Sequence, residues 1–367
     1  MTVLAVIGVL ALLIFVHELG HFMAARLQGI HVNRFSIGFG PILWKYQGPQ
    51  TEYALRAIPL GGFVGFPDED PESVIPPNDP DLLGNRPVLD RAIVISAGVI
   101  ANMVFAYLVF VVQFGSIGVP DSFNLKPGVF IPEVMQGTPA EVAGIKAGDV
   151  ILAVNGDRLS SEVEGEDSAQ RKLIRIIQAS ESQPVDLTLQ RFDKELAVTV
   201  TPEVSQPGGD AVIGVALQPN GSVQYRPASG PTEVLTAAAK EFQDKTALVA
   251  NGMLSLITDF SSMAGQVGSP VKIVEQGAGL AKADGRSLFP FAAIISINLA
   301  IINILPLPAL DGGQLAFLLI EALRGKPLPV RLQESVMQTG IFLLLGLGVF
   351  LIIRDTTQLE VLQNLRQ

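Results

Sequence analysis

Four stretches of this chain are apolar for long enough to cross a lipid bilayer, and they lie at its two ends with a hydrophilic middle between them. A bilayer core takes roughly 20 residues of helix, and a backbone crossing it must satisfy its own hydrogen bonds. Each stretch is therefore expected to be a helix. The first runs from Thr2 to about Met23, the second from Ala92 to Val119, the third from Ser287 to Leu310 and the fourth from Ser335 to Ile353. The second and third carry no charge, and the third ends in NILPLPALDGG, where Pro306 and Pro308 must break the helix ahead of Asp311. This third spanning region is expected to extend to about residue 320. Only 16% of the residues are charged and 49% are hydrophobic, which fits an integral membrane protein.

A cleaved signal peptide would carry positive charge ahead of its apolar run, and no Lys or Arg precedes Arg26. The first span is therefore expected to stay. Arg26, Arg34, Lys45, Arg56 and Arg86 follow it, and Arg324, Lys326 and Arg331 separate the third span from the fourth. Such loops face the cytoplasm, which puts the long middle region on the opposite, periplasmic side if the membrane is a bacterial plasma membrane. A thylakoid or plastid membrane fits the same pattern. The net charge of −10 offers no basic surface for nucleic acid, and the absence of cysteine leaves only nitrogen and oxygen ligands for any metal.

The middle region reads as a small α+β domain. GVFIPEV has the pattern of a strand, and GTPAEVAGIKAGD that of a short helix with Thr138 as N-cap, Glu141 closing a capping box and Gly144 ending it. VILAVNGDRL turns at Asn155-Gly156, a helix near Ser168 to Ala179 places Leu173, Ile174 and Ile177 on one face, and VDLTLQR and ELAVTV are further strands. This order resembles a PDZ domain. The chain thus divides into an N-terminal membrane part (1–119), a PDZ domain (120–205), a strand and amphipathic linker helix (206–286, with the helix from Pro231 to about Asp259), and a C-terminal membrane part (287–367). Residues 32–66 are rich in aromatic and β-branched residues and punctuated by glycine, as expected of short β-hairpins against the membrane, with a turn at Gln47-Gly48-Pro49. The acidic stretch from Asp68 to Asp81 reads as a solvated loop.

The first span contains His-Glu-Leu-Gly-His. His17 and His21 are one turn apart, so both imidazoles leave the same face and can share an ion. In metallopeptidases with this spacing the glutamate, here Glu18, takes a proton from water that the ion has acidified. Ionisable groups cost about 2.5–3.5 kcal/mol each at the centre of a span, so their presence calls for a function. A catalytic zinc wants three protein ligands and one open position. His31 lies beyond Gly29, where the helix should end, and reads as a loop histidine. Asp311 is the acid at the end of an uncharged span, expected either as the third ligand or as an Asp-Gly turn residue. Asn298 and Asn303 could hold substrate backbone or join helices, and Asn102 reads as a packing hydrogen bond.

HExxH in the first span, SAGVIAN in the second, a PDZ insert and NxxPxPxLDGG from Asn303 to Gly313 together resemble the site-2 protease family, peptidase family M50. Within this family of intramembrane zinc metalloproteases, the likeness is to the bacterial branch that cleaves anti-sigma factors, here with a single PDZ domain. GSPVKIVEQGAG and the final span look like that branch too. Val99 stands where many relatives have proline, and Gln314 where many have histidine. The resemblance implies zinc held by His17, His21 and Asp311, with Glu18 as general base and Asn298 and Asn303 at the substrate. The implied partners are single-span membrane proteins, the lipid bilayer, and a peptide or protein tail on a PDZ domain that could instead act as a size filter. Two other classes stay open from residues alone. An ion-handling protein would show inverted repeats, and a non-catalytic PDZ scaffold would have lost part of the HExxH set.

Overall fold

The computed structural model describes residues 2–70, 73–132, 134–135, 137–162, 168–192, 194–204, 209–258 and 267–357. They form two compact units, one from residues up to 117 and from 228 onward, the other from Gly118 to Pro227.

In the first unit, α1 spans Thr2–Leu27. It ends where Gly29 turns left-handed (φ 75°), letting Ile30 N–H reach Ala25 O at 2.9 Å and Gly29 N–H reach Arg26 O at 3.1 Å. This paired closure satisfies carbonyls that the helix end would otherwise orphan. Two extended segments follow, β1 (Arg34–Gln47) and β2 (Glu52–Gly65). They are not separate short hairpins, because their pairing falls into three runs. Residues 44–47 pair antiparallel with 52–55, residues 34–37 run parallel beside the same 52–55, and 34–37 also pair antiparallel with 62–65. Each long segment therefore bends back to supply two lanes of one small sheet. Phe35 anchors the sheet on α1 through Phe15 and Phe22, while Phe39, Ile42, Leu43, Trp44 and Ile58 are exposed.

Helix α2 (Val88–Ser116) starts earlier than the charge-free run and takes in Asp90 and Arg91. It stops before Val119, which belongs to a strand of the other unit. Helix α5 covers Pro231–Thr258, and Asp259 lies outside the described residues. Next come α6 (Pro270–Ala283), α7 (Leu288–Ile304), α8 (Asp311–Arg324) and α9 (Val330–Thr357). Among the described residues, helices α1, α2 and α9, and α7 with the single turn before it, are the four long and apolar enough to span a membrane. The third span does not run on to residue 320. It ends at Ile304, and α8 is a new helix after the proline-interrupted loop.

The second unit is an α+β domain. Strands β3 (Val119–Phe130), β4 (Val150–Val154), β5 (Asp157–Arg158), β6 (Val185–Arg191), β7 (Lys194–Val200) and β10 (Gln218–Arg226) form its sheet, with β8 (Glu203–Val204) and β9 (Ala211–Val212) paired beside it. The sheet order is β10-β3-β4-β6-β7, with β5 on β4. Val129, Ile151, Leu187 and Leu189 pack under Leu173 and Ile177 of α4 (Ala169–Ala179). The buried carboxylate of Asp149 receives two bonds of 2.8 Å from Arg191, and this pairing raises the Arg191 pKa above its ordinary value.

The unit reaches Pro227 rather than ending at 205, because β10 pairs with β3 along most of its length. Ile174 is exposed, so the buried stripe of α4 is Ala169, Leu173 and Ile177. The capping box does not form at α3 (Pro139–Val142). The Thr138 hydroxyl donates to Met135 O instead, and Glu141 accepts from Gly137 N–H, one residue earlier than expected. The turn at Asn155-Gly156 has both residues at positive φ, 49° and 83°, as an Asn-Gly hairpin turn requires.

Candidate metal centre

Helix α1 sends His17 and His21 from one face with ring centroids 4.8 Å apart. Asp311 arrives from the first turn of α8, after a loop in which Ala309 holds φ at 71°. That loop rests on α9, where Ala309 N–H donates to Met337 Sδ at 3.3 Å and Gly340 lies against Pro308. Three atoms then converge. His17 Nε2 and His21 Nε2 are 3.2 Å apart, and Asp311 Oδ2 lies 3.3 Å from the first and 3.4 Å from the second.

The histidine orientation decides what this convergence means. His21 Nδ1 lies 2.9 Å from Val94 O, and a carbonyl can only accept, so the proton belongs on Nδ1 and the Nε2 lone pair faces inward. Asp311 Oδ2 is buried without a hydrogen-bond partner. Lone pairs crowding one point repel each other unless a cation sits among them. Tetrahedral zinc with bonds of about 2.0–2.1 Å has ligand atoms about 3.3 Å apart, matching the observed triangle. The donor set is two imidazoles and a carboxylate, which leaves one tetrahedral position for water or substrate.

Around this triangle, Asn102 on α2 is fully buried with its side-chain amide 3.2 Å from His17 Nδ1. Asn303 on α7 brings its side-chain amide to 3.5 Å from His17 Nε2. Gly98 packs against both imidazoles, and Gly62 of β2 packs against the Glu18 side chain. No hydrogen bond joins Asn298 to this group among the described residues. His31 stands apart in the loop after α1, with Nε2 3.6 Å from Asp79 Oδ1.

Residues 5–347 match the model of Peptidase family M50. The chain belongs to peptidase family M50. A putative zinc metalloprotease of Nostoc is 58% identical to this M50 peptidase over 98% of this chain and 97% of its own. The chloroplastic membrane metalloprotease ARASP of Arabidopsis thaliana is 46% identical over 99% of this chain and 80% of its own. The regulator of sigma-W protease RasP of Bacillus subtilis is 28% identical over 98% and 99%.

Sequence reasoning did not find how α2 of the M50 peptidase serves its centre. Val94 O, Gly98 and Asn102 recur one turn apart, so a single stripe of α2 meets the histidine face of α1. The signal was the small and polar spacing within SAGVIAN, which a search for charged or ligating residues passes over.

Proposed function

We propose that this chain is an intramembrane zinc metalloprotease in which His17, His21 and Asp311 hold the ion and Glu18 is the general base. The observation that carries the reading is the convergence of two imidazole nitrogens and one orphaned carboxylate oxygen at tetrahedral spacing. Zinc bound there lowers the pKa of water from about 15.7 to near 7 and polarises a carbonyl.

The chain's own residues do the rest. Glu18 takes the proton from the attacking water and gives it to the leaving amine. A substrate helix must first unwind, since its backbone is otherwise shielded by its own hydrogen bonds. Residues 62–65 pair with 34–37 on one side, with no second strand among the described residues, and Gly62 of this run lies against Glu18. The unwound segment adds to that edge as a further strand. The Asn303 amide, 3.5 Å from His17 Nε2, is placed to donate to the substrate carbonyl oxygen.

The substrates we assign are single-span membrane proteins such as anti-sigma factors or signal-peptide remnants. The name of the Bacillus relative, a regulator of sigma-W protease, supports the first class. Lys and Arg in the loops favour a PDZ unit on the non-cytoplasmic side of a bacterial plasma membrane. The chloroplastic relative keeps a thylakoid location in view.

The test is metal analysis of the purified protein together with cleavage of a single-span substrate by wild type and Glu18→Gln. Cleavage should fall by about 10²–10⁴-fold in the variant with zinc retained. Undiminished cleavage, or wild-type protein prepared without chelator that carries no zinc, would overturn the proposal.

A further inference from the structure

His17 Nε2 can ligate an ion only if its proton sits on Nδ1, and among the described residues no backbone carbonyl meets that nitrogen as Val94 O meets His21 Nδ1. The group that faces Nδ1 is the Asn102 side chain, 3.2 Å away. With the amide nitrogen turned toward Nδ1, two things go wrong together. The Asn102 Oδ1 atom is buried without a partner, and Nδ1 is made an acceptor, which puts the proton on Nε2 against His21 and Asp311. Amide oxygen and nitrogen have nearly the same shape, so the hydrogen-bond network must decide which faces the ring. Exchanging them gives Oδ1 a partner and frees Nε2.

The position is held from behind. Ser296 on α7 donates to Asn102 O at 2.9 Å, tying α2 to α7 at this level, and both residues are fully buried. We propose that Asn102 is a positioning residue, whose side-chain oxygen accepts the His17 Nδ1–H and so fixes the tautomer and ring angle that present Nε2 to the metal. Metal-bound histidines generally donate their other N–H to a carbonyl or carboxylate in this way. The two histidines are thereby served by one stripe of α2, His21 through Val94 O and His17 through Asn102. The inference rests on the reading of His17 as a metal ligand.

The experiment is zinc affinity of the full-length protein in detergent, measured by competition with a chelating dye after metal removal and needing no proteolysis. Asn102→Leu keeps the volume and cannot accept, and its affinity should fall about 10–100-fold. Asn102→Asp can accept but has no N–H to donate, so it should stay close to wild type. Cobalt loaded into wild type and the aspartate variant should give the same tetrahedral absorption bands. Wild-type affinity in the leucine variant would overturn the inference, as would an aspartate variant as weak as the leucine one, since the amide nitrogen would then be the group that matters. If the leucine variant does not fold, the aspartate variant decides alone, and a loss of about 10–100-fold from wild-type affinity overturns the inference. His17→Ala separates the two levels. Zinc lost there but kept in Asn102→Leu removes only the positioning role, whereas zinc kept in His17→Ala removes the metal reading beneath it.

Discussion

Gly98 stands so close to the paired histidines that a Cβ there would lie 2.3 Å from His21 Nε2 and 2.8 Å from His17 Cε1. Helix α2 thus forms the wall against which both rings are set. Gly98→Ala must push the rings off their positions, and overpacking of this kind costs about 1–3 kcal/mol. Zinc affinity should fall by about tenfold or more while the protein still inserts, which metal titration of membrane-extracted protein checks.

Asp311→Ala removes the carboxylate that closes the triangle. The variant should lose most of its zinc and its proteolysis, with membrane insertion unchanged. Metal content equal to wild type would place the third ligand elsewhere.

The loop before Asp311 is seated on α9. A Cβ on Gly340 would lie 2.3 Å from Pro308 Cβ and 2.7 Å from its backbone carbonyl, whereas one on Gly346 or Gly348 of the same helix would meet nothing within 4 Å. Gly340→Ala should therefore weaken zinc binding by displacing the loop, and Gly346→Ala and Gly348→Ala should not. The same metal titration separates the three.

Gly62 carries the proposed substrate edge past Glu18. A Cβ there would lie 2.8 Å from Glu18 Cγ and 3.0 Å from Ser36 O. Gly62→Val should lower kcat and leave zinc content intact, since none of the three converging His17, His21 and Asp311 atoms is touched. Loss of zinc instead would show that the sheet supports the metal site itself.

Arg91 and Glu321 join α2 to α8 through two hydrogen bonds, one of them 3.0 Å from Nη1 to Oε2, with both side chains mostly buried. Breaking such a pair leaves a charge without its partner and costs about 3 kcal/mol. Glu321→Gln should lower the thermal midpoint, and the double exchange Arg91→Glu with Glu321→Arg should recover part of the loss.

Much of the fold was written in short-range pattern. Apolar runs of bilayer length, the helical spacing of His17 and His21 and the Asn155-Gly156 turn are each decided by residues within a few positions of one another, because helix period, solvation and turn strain are local. The capping box at Thr138 and the place of Ile174 on one face with Leu173 and Ile177 differ in the structure, because a nearby carbonyl won the hydroxyl and the buried stripe of α4 runs through Ala169, Leu173 and Ile177. The four-lane sheet also went unseen, since one segment folding back to pair on both edges leaves no mark in its alternation.

The sequence by itself determined which segments enter the membrane and that one of them carries two imidazoles and a carboxylate on neighbouring turns. Only the tertiary structure decided that the Asp311 oxygen meets those imidazoles, that Val94, Gly98 and Asn102 stand behind them, and that β10 closes the inserted domain at Pro227. The reason is physical. A contact between distant parts of a chain is set by helix packing and strand register, which depend on the whole assembly, so the residues that make it are chosen for fit and carry no local periodicity of their own.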